Sequence, residues 1–323
     1  MFPSSINESS SFADSSLLRQ IMWPLLQGRE MVFLFVAISG FTLYLNYFQR
    51  SFPDVKRYLF RRVNRIIPVY LTSLCIGVIV VYFVNVLGNP GELDNLHFSV
   101  AGFLSHLFFL QHWNSQWIFQ LNPPLWSISV EFQLYLVLPL IVFLMHKAES
   151  PLILLTIPIV SRAIQSRLFN GFFWFNEWFI AGIYVAVNYG KLIMRSTLSL
   201  RLAMALMWIT AIYRPLHPFS IVWDYYFLCT VMVTIQFLMQ NDFSLSTRLG
   251  KSMYWIGERS YSLYAIHFPI LAITYTILKS KISLDLHATI YFLLLAPLMT
   301  FSAMHVLHSY VETNTKLKIF KGY

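Results

Sequence analysis

The stretch LNPPLWSISVEFQLYLVLPL, residues 121–140, decides the fold. Beyond Pro123 and Pro124 the chain stays predominantly apolar as far as Met145. A helix of about 20 such residues crosses a hydrocarbon core about 30 Å thick. Ser127, Glu131 and Tyr135 recur every four residues, so they share one face of that helix. A carboxylate at this depth costs about 2.5–3.5 kcal/mol and needs a polar cavity and a partner. Acids so placed mark functional sites; the competing reading is a structural carboxylate that locks two helices through an arginine. Asn122 is positioned to cap the helix, with Pro123 at its first residue.

Working outward, apolar runs follow one another along the chain, at 31–48, 66–87, 124–146, 151–164, 172–190, 198–213, 219–240, 261–279 and 287–310. The expected fold class is all-α, a polytopic membrane bundle of about nine transmembrane helices. A further apolar stretch, Phe98 to Leu110, carries His106 and reads as a buried or interfacial helix in the 88–123 loop. Composition agrees with this reading. Of 323 residues, 57% are hydrophobic and 11% charged, against about 25% charged in soluble domains. The expected organisation is a polar, disordered segment 1–27, a membrane domain 28–312 and a basic cytoplasmic tail 313–323. Cys75 and Cys229 lie inside apolar runs and read as buried free thiols. No spacing of ligand residues calls for a metal.

The net charge of +9 does not indicate nucleic acid, because the basic residues occupy short loops between spans. With the 49–65 loop placed inside and the sides alternated, 16 of the 23 Lys and Arg residues fall on the cytoplasmic side. Nine spans then leave the C-terminus in the cytoplasm and the N-terminus outside.

Three other motifs stand out. In RYLFRRVNRIIPVY, residues 57–70, Arg57, Arg61 and Arg65 share a helical face with Arg62 beside them. They serve either as positive-inside anchors or as a clamp for the phosphates of a nucleotide-bearing donor. In AISGFTLYL, residues 37–45, Ser39 and Gly40 lie mid-span and let a helix or a ligand approach the backbone. In IGERSYSLYAIHFPI, residues 256–270, His267 is either hydrogen-bonded filler or a base that works near neutral pH.

In this order the four stretches resemble the acyltransferase-3 family of membrane O-acyltransferases. HSYVETNTK closes the resemblance, with Glu312 at the position of a family glutamate, and the likeness runs from Gly28 to Lys318. It implies transfer of an acyl group, often acetyl, from cytosolic acyl-CoA to a hydroxyl. The acceptor would be a carbohydrate, a cell-envelope glycan, a lipid-linked sugar or a small natural product. Acyl-CoA is then a substrate, and no resident cofactor is expected. The implied donor site is Arg61, Arg62 and Arg65. The implied pocket is Ser39, Gly40, Phe41, Trp126, Ser127 and Tyr135, and the implied catalytic groups are Glu131 and His267.

The family core has ten spans, the first bearing a histidine, and that helix is expected to be missing here. Two rivals stay open: a multi-span transporter or flippase, and an inactive truncated member.

Overall fold

A computed structural model of the chain describes residues 28–49, 54–87, 96–150, 153–165, 171–188, 198–212, 221–240, 247–281 and 286–314. The polar segment 1–27, the expectation of a missing first helix and the tail lysines Lys316, Lys318 and Lys321 lie outside the described residues. No strand occurs among the described residues.

The helices are α1 (Gly28–Leu43, prolonged by a π turn, Tyr44–Phe48), α2 (Val55–Leu87), α3 (Val100–Leu107) and α4 (Leu125–Lys147). Then come α5 (Ile153–Gln165), α6 (Gly171–Val187), α7 (Leu198–Ile212) and α8 (Ile221–Gln240). The last two are α9 (Arg248–Lys281) and α10 (Leu286–Leu307, prolonged by a π turn, His308–Glu312). Each of the nine expected spans has its helix. Among the described residues five are long and apolar enough to cross a bilayer: Met31–Phe48, Val55–Val86, Leu125–Lys147, Gly250–Leu278 and Leu294–Glu312. Shorter apolar helices occupy Phe175–Val187, Leu200–Ile209 and Tyr225–Phe237. This is a multi-pass membrane protein.

Two helices start earlier than their apolar runs. α2 begins at Val55 instead of 66 because the Asp54 carboxylate accepts from the backbone N–H groups of Lys56 and Arg57, at 2.9 and 3.3 Å. A side-chain oxygen there satisfies donors that the first turn leaves unpaired. Thr247 does the same for α9, accepting from the Gly250 N–H at 3.0 Å. The arginines of residues 57–65 therefore ride on a helix, not in a loop. At the head of α4 the opposite happens. The helix starts at Leu125 with no side-chain cap. Asn122 spends its amide elsewhere, donating to the Ala265 carbonyl of α9 at 3.0 Å and the Ser73 carbonyl of α2 at 3.5 Å. Cys75 and Cys229 are free but exposed, a correction to the expected burial. An apolar run in a membrane bundle has an outward face as well as an inward one.

The chain divides into two compact units. One takes the chain up to Thr42 and from Trp178 to Asp242; the other takes Leu43–Glu177 and Phe243–Tyr323. The first packs aromatically. Trp178 stacks on Phe33 with ring centroids 4.1 Å apart and meets Phe227 at 5.9 Å. Small residues bring α1 and α6 close. A Cβ on Gly40 would lie 2.1 Å from the Phe179 carbonyl oxygen, and one on Gly182 would lie 1.9 Å from that of Ala37. Membrane helices associate through such small residues. In the second unit α9 packs against α2 and α10, α2 against α4, and the His308–Glu312 turn against α2.

Candidate functional site

α4 carries the polar residues of the site into the second unit. Ser127, Glu131 and Tyr135 are all buried on one face. The Ser127 hydroxyl donates to the Pro124 carbonyl at 3.1 Å. Its oxygen then accepts from the Tyr264 hydroxyl of α9, 2.7 Å away. One turn deeper, the Tyr135 hydroxyl donates to the Glu131 carboxylate. Trp126 closes the shallow end against Phe175, with ring centroids 5.1 Å apart.

α2 brings the cation. The Arg62 guanidinium donates to the Tyr47 hydroxyl at 2.6 Å. Its carbon lies 5.0 Å from the Tyr47 ring centroid and 6.0 Å from that of Tyr135. Both are within the range of about 6 Å over which a ring quadrupole attracts a cation. The Arg62 Nε is buried with no hydrogen-bond partner. Tyr135 thus stands between opposite charges, its ring beside Arg62 and its hydroxyl on Glu131. Two more tyrosines fix the frame. Tyr58 donates to the Tyr135 carbonyl at 3.2 Å, and Tyr261 donates to the Ile66 carbonyl at 3.0 Å.

The other expected residues fall around this core. Arg61 and Arg65 are exposed on the same helix as Arg62. His267 sits well inside α9, which starts at Arg248. Its Nδ1–H donates to the Tyr264 carbonyl at 2.7 Å. That bond fixes the tautomer and leaves Nε2 with its lone pair. His267 lines a groove of about 450 Å³ with Ser260, Leu263, Tyr264, Pro297 and Thr300. Ser39, Gly40 and Phe41 belong to the first unit, where the space beside Gly40 is filled by α6 backbone. At the end of α10, one Glu312 oxygen accepts from Ser262 at 2.7 Å and from the His308 Nδ1–H at 3.0 Å.

Sequence reasoning passed over Tyr47, Tyr58 and Tyr264. Tyr264 lay within a quoted motif, four residues after Ser260, but a tyrosine at a helix face gives no sign of its partner. It also passed over a second polar face of α4, made by Ser129 and Gln133. Ser129 donates to Gln111 at 2.9 Å, and Gln111 donates to the Tyr70 hydroxyl and the Leu125 carbonyl, both at 3.1 Å. The His112 Nε2–H donates to Gln133 at 3.1 Å, while Gln133 donates to the Phe109 carbonyl at 2.8 Å. His106 donates from Nδ1 to the Gly102 carbonyl at 2.8 Å. Burial pushes both imidazoles down to about 4, so both are neutral at physiological pH.

A family model described as an acyltransferase domain matches residues 5–308. The chain belongs to the acyltransferase-3 family. Among its relatives is the O-acetyltransferase OatA of Staphylococcus aureus (strain NCTC 8325 / PS 47). It is 23% identical over 329 residues, which cover 90% of this chain and 53% of the relative. The peptidoglycan O-acetyltransferase OatA of Listeria monocytogenes serovar 1/2a is 25% identical over 340 residues, covering 90% of this chain and 52% of the relative. The chain spans about half the length of the curated relatives it matches. No solved structure matches it. Within this acyltransferase-3 chain the buried polar face of α4, Arg62 and the His267 groove all lie in the one compact unit.

Proposed function

We propose that this chain is a membrane-bound O-acyltransferase. It moves an acyl group, acetyl in the simplest case, from cytosolic acyl-CoA to a hydroxyl of a carbohydrate such as a cell-envelope glycan. The C-terminus lies in the cytoplasm, the side from which the donor arrives. One observation carries the reading: Arg62 is held half-buried against Tyr47 and Tyr135, and Tyr135 is bonded to the buried Glu131. A guanidinium held in this way suits a phosphate-bearing donor, because guanidinium forks match phosphate oxygens. The O-acetyltransferases among its relatives point the same way.

In this mechanism Arg62, with Arg61 and Arg65 on the same helix, holds the donor phosphates. Trp126, Ser127 and Tyr135 line the pocket. His267 takes the acceptor proton at Nε2, the nitrogen its backbone bond leaves open. The acceptor oxygen attacks the thioester carbonyl, an O–C bond forms as the C–S bond breaks, and the proton passes to the departing thiolate. Glu131 holds Tyr135 in place.

The test uses the full chain in nanodiscs with acyl-labelled acetyl-CoA and a glycan acceptor. Label transferred covalently to the acceptor supports the reading. Label that crosses or binds without a covalent product supports the transporter instead.

A further inference from the structure

The segment between α2 and α4 has its polarity inverted. Every residue that the structure exposes between 98 and 113 is apolar, including Phe98, Val100, Leu104, Phe108, Leu110 and Trp113. Ser105, His106, Gln111 and His112 are buried instead. A loop in water would place these two sets the other way round, since unpaired apolar surface is costly there and imidazoles and amides are readily hydrated.

Depth agrees with polarity. The Tyr70 hydroxyl donates to the His106 carbonyl at 2.8 Å. At helical rise, Tyr70 lies about 25 Å along α2 from its Leu87 end. The partners on α4 are Leu125, Ser129 and Gln133, the last about 12 Å into that helix. The segment therefore reaches down beside both helices. Its backbone is helical at α3 and at the 3₁₀ turn Gln111–Trp113 and irregular before and between them. Irregular backbone survives at membrane depth only where protein satisfies it. Here Gln133, Tyr70 and the Ser99 cap supply those bonds.

We infer that residues 98–113 form a re-entrant segment that enters the bilayer from the side where α2 ends and α4 begins. Its apolar face contacts lipid acyl chains, and its polar face closes the back of α4 opposite Glu131. The inference does not depend on the proposed activity.

The test is nitroxide labelling of Leu104→Cys and Phe108→Cys in a Cys75→Ala/Cys229→Ala background, with the full chain in phospholipid nanodiscs. Leu140→Cys, on the exposed apolar side of α4, provides the lipid-facing reference. Relaxation of each label by oxygen is compared with relaxation by a water-soluble nickel chelate. At both positions oxygen should exceed nickel several-fold, as at position 140. Nickel exceeding oxygen would put the segment in water and overturn the inference. Protection from both agents would mean that protein, such as a second copy, covers the face, and would overturn the lipid assignment.

Discussion

The two polar faces of α4 differ in kind, although one helix carries both. The face of Ser127, Glu131 and Tyr135 meets a guanidinium, a carboxylate and a ring of tyrosines. The face of Ser129 and Gln133 meets only neutral amides, carbonyls and imidazoles, each hydrogen-bonded. A neutral, hydrogen-bonded network rigidifies the backbone it joins, whereas charge held at low dielectric is strongly felt by whatever enters. On the proposed function, chemistry belongs to the first face and support to the second.

Substitutions can break that contrast. The largest effect is expected for Glu131→Gln. It keeps the shape and removes the charge that holds Tyr135, and acyl transfer should fall by about 100-fold, the loss that misplacing a pocket group by about 1 Å brings. Thermal unfolding in detergent should stay near that of the parent. Activity within a factor of two of the parent would erase the distinction between the faces.

Gln111→Leu strikes the other face. It strips partners from the Tyr70 hydroxyl, Ser129 and the Leu125 carbonyl, and should cost about 1–3 kcal/mol of stability for a buried group left unsatisfied. The expected signature is a lower Tm with an unchanged KM for acyl-CoA. A raised KM at normal stability would move the donor site to this side of the helix.

Arg62→Lys sharpens the first face. Lysine keeps the charge but loses the planar fork and the stacking against Tyr47 and Tyr135. The KM for acyl-CoA should rise about tenfold, or about 1.4 kcal/mol, with little change in kcat. An equal fall in kcat would place Arg62 at the reacting atoms instead of the phosphates.

pH tests the neutral face more gently. His106 and His112 are held near 4 in the folded protein, below the ordinary value of 6.5. Below 6.5 the unfolded chain binds protons that the folded chain refuses, so stability falls as pH drops from about 6.5 toward about 4. Their contribution is full above that window. Tm measured between pH 7.5 and 5 should decline, and the decline should shrink in His112→Gln. A flat profile would mean that neither imidazole is buried neutral.

Much of this was legible in the residues. The i, i+4 spacing placed Ser127, Glu131 and Tyr135 together, and the run of arginines marked Arg62. The stretch from Phe98 to Leu110 was read as a buried or interfacial helix, and the structure makes it a short helix with an apolar outer face. Asn122 was misread as a cap because local sequence offers only local partners. Its amide goes to Ala265, far along the chain, which no spacing rule reaches. The same holds for Tyr47 beneath Arg62 and for Tyr264 beside Ser127.

Apolar run length and helical period, both properties of consecutive residues, determined from sequence alone that the chain crosses a membrane as helices and that a carboxylate faces inward from α4. Tertiary structure alone decided which cation approaches Tyr135, which imidazole nitrogen stays open, and how the segment after α2 packs against α2 and α4. Those outcomes depend on the register between helices. Register is set by side chains meeting across the bundle, such as Tyr58 on the Tyr135 carbonyl and Tyr261 on the Ile66 carbonyl.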